Sequence, residues 1–149
     1  MRGLTLGDRP AIVIPTVPPA YRKAIAVERH PLLMTDAELR CLREQLGLSV
    51  RDLAKAVNRH ERNVHRWENG EQAISRETAE ALQSLVAYTD ATVNALVALG
   101  GGEAITTYRN DEAFHEAFDA GALKLPASWH RAVAWRAAQQ TGAAITYPS

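Results

Sequence analysis

Residues 35–85, TDAELRCLREQLGLSVRDLAKAVNRHERNVHRWENGEQAISRETAEALQSL, decide the fold, because start and stop signals for short helices follow one another through them. Thr35-Asp36-Ala37-Glu38 has the S/T-x-x-E pattern of a capping box, in which side chains satisfy the first free N–H groups of a helix. Leu39, Leu42 and Leu46 then fall on one face, and Gly47 follows as a stop. Ser49-Val50-Arg51-Asp52 opens a second helix with Leu53, Ala54 and Val57 pointing inward. After a tight Asn58-Arg59-His60 turn, a third helix is predicted from Glu61 to Glu68, ending at Asn69-Gly70. Two short helices joined by a tight turn, the second loaded with Arg, Asn and His, form the arrangement that presents side chains to a DNA major groove.

The faces of the third helix follow from its spacing. Val64 and Trp67, three apart, turn inward with Leu53 and Val57, and Glu61, Arg62, His65 and Arg66 face outward with Asn63 at the flank. Arg can donate two bonds to guanine O6 and N7, Asn can pair with adenine, and Glu can accept from cytosine N4. The Glu61 carboxylate equally suits the positive end of the helix dipole, and Arg66 equally suits a surface ion pair. Arg51, Arg59 and His60 complete the expected DNA-facing set. Trp67 is expected in the core, and Glu68 and Asn69 are expected to fix the loop after the helix.

Leu48-Ser49, Leu53-Ala54, Val57, Val64, Trp67-Glu68-Asn69-Gly70 and Ile74-Ser75 resemble, without a gap, the Cro/C1-type (XRE) helix-turn-helix regulators. The resemblance implies a lambda repressor-like domain and places base-reading side chains at Glu61, Arg62 and Arg66. Two positions depart from the family. Val50 stands where the family carries a phosphate-contacting Gln, and His60 stands where Ser or Thr opens the third helix.

Net charge is zero, so charge matters locally. Residues 51–66 carry Arg51, Lys55, Arg59, Arg62 and Arg66, with His60 and His65, against Asp52 and Glu61. That stripe suits a phosphate backbone, and the neutral total predicts weak non-specific affinity. No signal-peptide pattern and no run of apolar residues long enough for a membrane span occurs, so a cytoplasmic protein is expected. Cys41 has no partner cysteine and is expected to be a small, half-buried side chain.

The sequence holds no constellation with catalytic spacing, and neither an enzyme nor a cofactor is expected. His60 and His65 are five apart, about 140° around a helix, whereas a zinc-gripping pair needs the four-residue spacing that puts them about 40° apart. His30, His115 and His130 are scattered. Gly100-Gly101-Gly102 ends a helix, the wrong polarity for a phosphate cradle.

Outside this stretch, residues 1–33 hold Pro10, Pro15, Pro18, Pro19 and Pro31, with room for a short strand at 11–14 and a helix at 21–29. This segment is either an added arm or lies upstream of a second start at Met34, and Arg22, Lys23 and Arg29 are its candidate phosphate contacts. A fourth helix runs from Ser75 to the glycines. Its Ala79, Leu82, Val86, Thr89, Val93 and Leu96 recur at an average spacing of about 3.5, as in a short coiled coil. Beyond the glycines come β-formers at 104–108, a helix capped by Asp111 carrying Phe114 and Phe118, and a helix opened by Pro126-Ala127-Ser128 and ended by Gly142. In that last helix Trp129, Val133 and Arg136 share a face, and Ala144-Ile145-Thr146-Tyr147 echoes the earlier strand, with which it could pair within or between chains. The tail is similar to the C-terminal part of YdiL-like and anti-CRISPR-associated autorepressors, which implies a dimerisation region.

The expected fold is mainly α: a Pro-rich arm at 1–33, a helix-turn-helix domain at 34–88, and a small α+β dimerisation or partner-binding region at 89–149. The expected function is a homodimeric transcriptional regulator, a repressor reading an inverted repeat in double-stranded DNA. The alternative is an antitoxin-like module that neutralises a partner protein. An exposed patch of Phe114, Phe118, Trp129 and Trp135 would favour the alternative, and a packed dimerisation surface would favour the repressor.

Overall fold

The computed structural model describes residues 34–100, 102–118 and 125–149. The expectations for residues 1–33 lie outside them. Along the described chain run α1 (Asp36–Gln45), α2 (Val50–Ala56), α3 (Glu61–Glu68), α4 (Arg76–Ala98), β1 (Ile105–Thr106), α5 (Asp111–Ala117), α6 (Ala127–Thr141) and β2 (Ile145–Thr146). The fold is mainly helical, with a helix-turn-helix and a small two-stranded sheet, as the sequence led us to expect.

The helix starts are made by the side chains that signalled them. Thr35 Oγ1 accepts from the Glu38 amide at 3.1 Å, and Glu38 Oε2 accepts from the Thr35 amide at 3.0 Å, closing the capping box of α1. Ser49 and Asp52 do the same for α2 at 3.0 and 3.2 Å. Ser75 Oγ accepts from the Thr78 amide at the start of α4. Each cap is worth about 1 kcal/mol.

One hydrophobic cluster unites the described elements. Leu39, Leu53, Val64 and Trp67 fill it from the helix-turn-helix, Leu82, Leu85 and Val93 from α4, and Phe114, Trp129 and Val133 from α5 and α6. The α4 repeat is therefore not an open coiled-coil seam. α6 of the same chain lies along it, with the Trp129 indole N–H donating to Thr89 Oγ1 at 3.0 Å and its ring stacked on Tyr88 at 5.6 Å. The position of the proposed boundary, residue 88, falls inside α4.

β1 and β2 pair in parallel within the chain, Ile105 opposite Ile145 and Thr106 opposite Thr146. Parallel strands need a crossover, and α5 and α6 supply it. Two expectations need correction. Asn110, not Asp111, caps α5 by accepting from the Ala113 amide. Asp111 Oδ1 instead accepts from the Ala127 amide at 2.8 Å, so it caps α6, whose own N-cap, Pro126, offers no side-chain acceptor. Cys41 is exposed rather than half-buried, because α1 turns its Leu39 and Leu42 face inward and leaves position 41 outside.

Candidate nucleic-acid interface

The turn between α2 and α3 is set by Asn58, whose φ of 55° lies in the left-handed region. Asn tolerates that region better than other side-chain-bearing residues. The Asn58 amide donates to Lys55 O and the Arg59 amide to Ala54 O, the paired bonds of a Schellman closure. α3 ends the same way, with the Gly70 amide on Trp67 O and the Glu71 amide on Arg66 O. The C-termini of both α2 and α3 are thus closed by backbone hydrogen bonds, and the closure at Asn58 sets the course of the chain into α3.

α3 is also anchored along its inner face. Val64 is fully buried and Trp67 nearly so. The Trp67 indole N–H is buried with no hydrogen-bond partner among the described residues, and the burial of its ring makes that side chain part of the core rather than a stacking platform. At the C-terminal end, the Arg43 guanidinium grips both Glu68 carboxylate oxygens at 2.9–3.1 Å and donates a further bond to Leu48 O at 3.1 Å. The pair is largely buried, with 14% and 8% of the two side chains exposed. Glu68 therefore ties α3 to α1 and the start of α2, rather than fixing the following loop. Arg43 was not singled out from sequence. Its partner lies 25 positions away, and an Arg one turn from a helix end looks like a dipole-compensating surface charge.

The outer face of α3 carries Glu61, Arg62, His65 and Arg66, all exposed, with Asn63 half-buried at the flank. Neither Arg62 nor Arg66 makes an ion pair or side-chain hydrogen bond among the described residues, in contrast with the bound guanidiniums of Arg43, Arg59, Arg131 and Arg136. Arg51 is exposed in the first turn of α2. Arg59 is half-buried and occupied, donating to Asn58 O at 3.0 Å and to Glu77 Oε2 at 3.2 Å, so it braces the turn against α4. His60 is the exposed N-cap residue of α3 and makes no side-chain cap bond. The eight sequence-selected residues thus divide into an unengaged outer face on α3, exposed Arg51 and His60 beside it, and Arg59, which holds the turn.

No group of three His, Cys, Asp or Glu side chains able to hold a metal ion occurs among the described residues. None of the described helices is long and apolar enough to cross a membrane.

Residues 37–96 match the helix-turn-helix domain family, a span that takes in α1 to α3 and most of α4. No curated protein matches the chain. The family match and the arrangement of α2 and α3 together support a DNA-binding regulator.

Proposed function

We propose that this chain is a sequence-specific, homodimeric transcriptional repressor of the Cro/C1 type, acting in the cytoplasm on an inverted repeat. The observation that carries the proposal is the division of α3, whose inner face is locked in the core while Arg62 and Arg66 stand exposed without partners among the described residues. In this reading α3 lies in the major groove. Arg62 and Arg66 read guanine edges, Glu61, Asn63 and His65 complete the face, and Arg51 and His60 approach the phosphates. Arg59 contributes by positioning α3. Residues 34–88 form the reading head, and residues 89–149 bring two copies together so that two α3 helices meet half-sites about one helical turn apart.

The patch that the antitoxin-like alternative calls for is present only in part: Phe114 and Trp129 are 0% exposed and Phe118 is half-buried, whereas Trp135 is exposed.

The test is a gel shift with the DNA upstream of the chain's own reading frame, at low salt, against a random duplex. A specific complex is expected. Arg62→Ala and Arg66→Ala should each cost about 1–3 kcal/mol on that site and much less on the random duplex. Failure to form a specific complex at any concentration overturns the proposal, and equal losses on both duplexes would make the two arginines phosphate contacts.

A further inference from the structure

Of the chain's three tryptophans, Trp67 and Trp129 are 4% and 0% exposed, whereas Trp135 is 61% exposed. It stands on α6, whose opposite face (Trp129, Val133, Ala134, Ala137) is sunk in the core, so its backbone is held rigidly. A shallow groove flanks it on each side. One, of about 570 Å³, runs past Gln45, Ala132 and Gln139. The other, of about 390 Å³, runs past Ala143, Ala144 and Ile145.

We infer that this Trp135 face is the surface on which a second copy of the chain docks; the inference rests on the homodimeric reading above and gives it a location. Three observations select a second copy as the occupant. A two-fold interface sets a patch against itself, so the patch must carry both a projection and a recess to receive it. Here the indole and its two grooves lie side by side. Self-facing also forbids uncompensated charge, which would meet its like across the axis. The one charged side chain lining the grooves, Arg136, is bound to Asp90 at 2.8 Å, and its neighbours are Ala, Gln and Ile. A charge-poor centre built round an aromatic anchor is the composition of an interface core.

The third observation is that, among the described residues, the other exposed large apolar side chains and the α4 stripe are covered or isolated. α6 covers the α4 repeat. The Tyr147 ring lies under the Arg109 guanidinium at 4.2 Å. Leu99 is exposed but stands at the end of α4, outside both grooves. The patch is smaller than the roughly 20–30 residues a side of a standard interface, so the dimer is weak when free and strengthened when both subunits share one operator.

Sedimentation equilibrium on the full chain, without DNA, tests the inference across a concentration series, alongside tryptophan emission. Self-association is expected, with Trp135 emission moving to shorter wavelength as concentration rises. Trp135→Glu should weaken association about thirtyfold or more while leaving the melting temperature unchanged, and Leu99→Glu should leave association intact. A wild-type chain that stays monomeric at every concentration overturns the inference and turns attention to a different protein as occupant. A Trp135→Glu chain that associates like wild type overturns it too. The gel shift separates the two proposals. A specific complex with unaltered Trp135→Glu association leaves the regulator standing and removes this surface, whereas Trp135-dependent association without a specific complex does the reverse.

Discussion

Gly47→Ala probes the seam by which the C-terminal half is joined to the reading head. Gly47 ends α1 with φ of 69°, and its carbonyl accepts a hydrogen bond from the Ser128 hydroxyl in the first turn of α6. A Cβ at this position would lie 2.5 Å from the Ser128 backbone oxygen, 3.0 Å from its carbonyl carbon and 3.3 Å from Ala132 Cβ. Gly142 is the matched control, with φ of 74° and nothing within 4 Å of an added Cβ. The left-handed backbone alone costs an alanine about 1–2 kcal/mol. The lost freedom of the unfolded chain returns about 0.4–1 kcal/mol, so Gly142→Ala should cost about 1 kcal/mol. Gly47→Ala adds overpacking against backbone that cannot swing aside, about 1–3 kcal/mol more. The total, about 2–4 kcal/mol, is a sizeable share of a stability near 5–15 kcal/mol. Urea unfolding of the two variants, compared at equal m, measures the difference directly. If both cost the same within about 0.5 kcal/mol, α6 does not rest on the α1 turn, and the account of a single core is refuted.

Val93→Glu places a carboxylate at a site 1% exposed, and it should abolish cooperative melting rather than yield folded monomers; a folded variant seen by circular dichroism would restore the open-seam view of α4. His130 is buried against Tyr108, Phe114 and Phe118 and hydrogen-bonded to Thr107, and burial lowers its pKa below the ordinary 6.5. The unfolded chain therefore takes up this proton first, so the stability His130 contributes is complete above about pH 6.5 and is lost as pH falls below it. His130→Phe should flatten that part of the stability profile, and an unchanged slope in urea midpoints would refute the assignment. A chain beginning at Met34 keeps the Thr35 capping box and should still melt cooperatively and prefer the same DNA site; aggregation would show that residues 1–33 belong to the core.

The first three helices were legible because every boundary is set by neighbours in sequence. Thr35, Ser49, Asn58 and Gly70 act on backbone groups two to four positions away, and the inward positions of α3 follow from a three-residue spacing. What the sequence could not show is which distant element completes a contact. The α4 repeat announces an apolar stripe, but nothing in it says whether the stripe faces a second chain or α6. Thr89 carries the difference, since a hydroxyl in a helix seam is ambiguous until Trp129 arrives from 40 positions away to donate to it. Asp111 misled for the same reason: an acidic residue at a helix start looks like a local cap, and its true partner is the Ala127 amide. Of the site, the outward face of α3 was readable from periodicity. The engagement of Arg59 with Glu77 and of Arg43 with Glu68 was not, because the partners sit on other helices.

The same long-range contacts bear on how the proposed dimer would treat its operator. A chain of fixed contacts leads from Trp135 through α6 to Ser128 and Gly47 at the end of α1, then from Arg43 to Glu68 at the end of α3. No glycine-rich linker interrupts it, and each step is a part-buried hydrogen bond, an ion pair or a run along a helix or its end. A regulator whose dimer surface and reading helix are joined by a flexible tether accepts several half-site spacings, because the tether absorbs the change. Here a shift of one base pair would rotate one half-site by about 34–36° about the duplex and move it by about 3.4 Å, which this rigid path cannot follow. Operator variants with one base pair added or removed between half-sites should therefore bind nearly as weakly as a single half-site. Equal affinity across spacings would mean that the two reading heads are not coupled through α6, even if Trp135 holds the copies together.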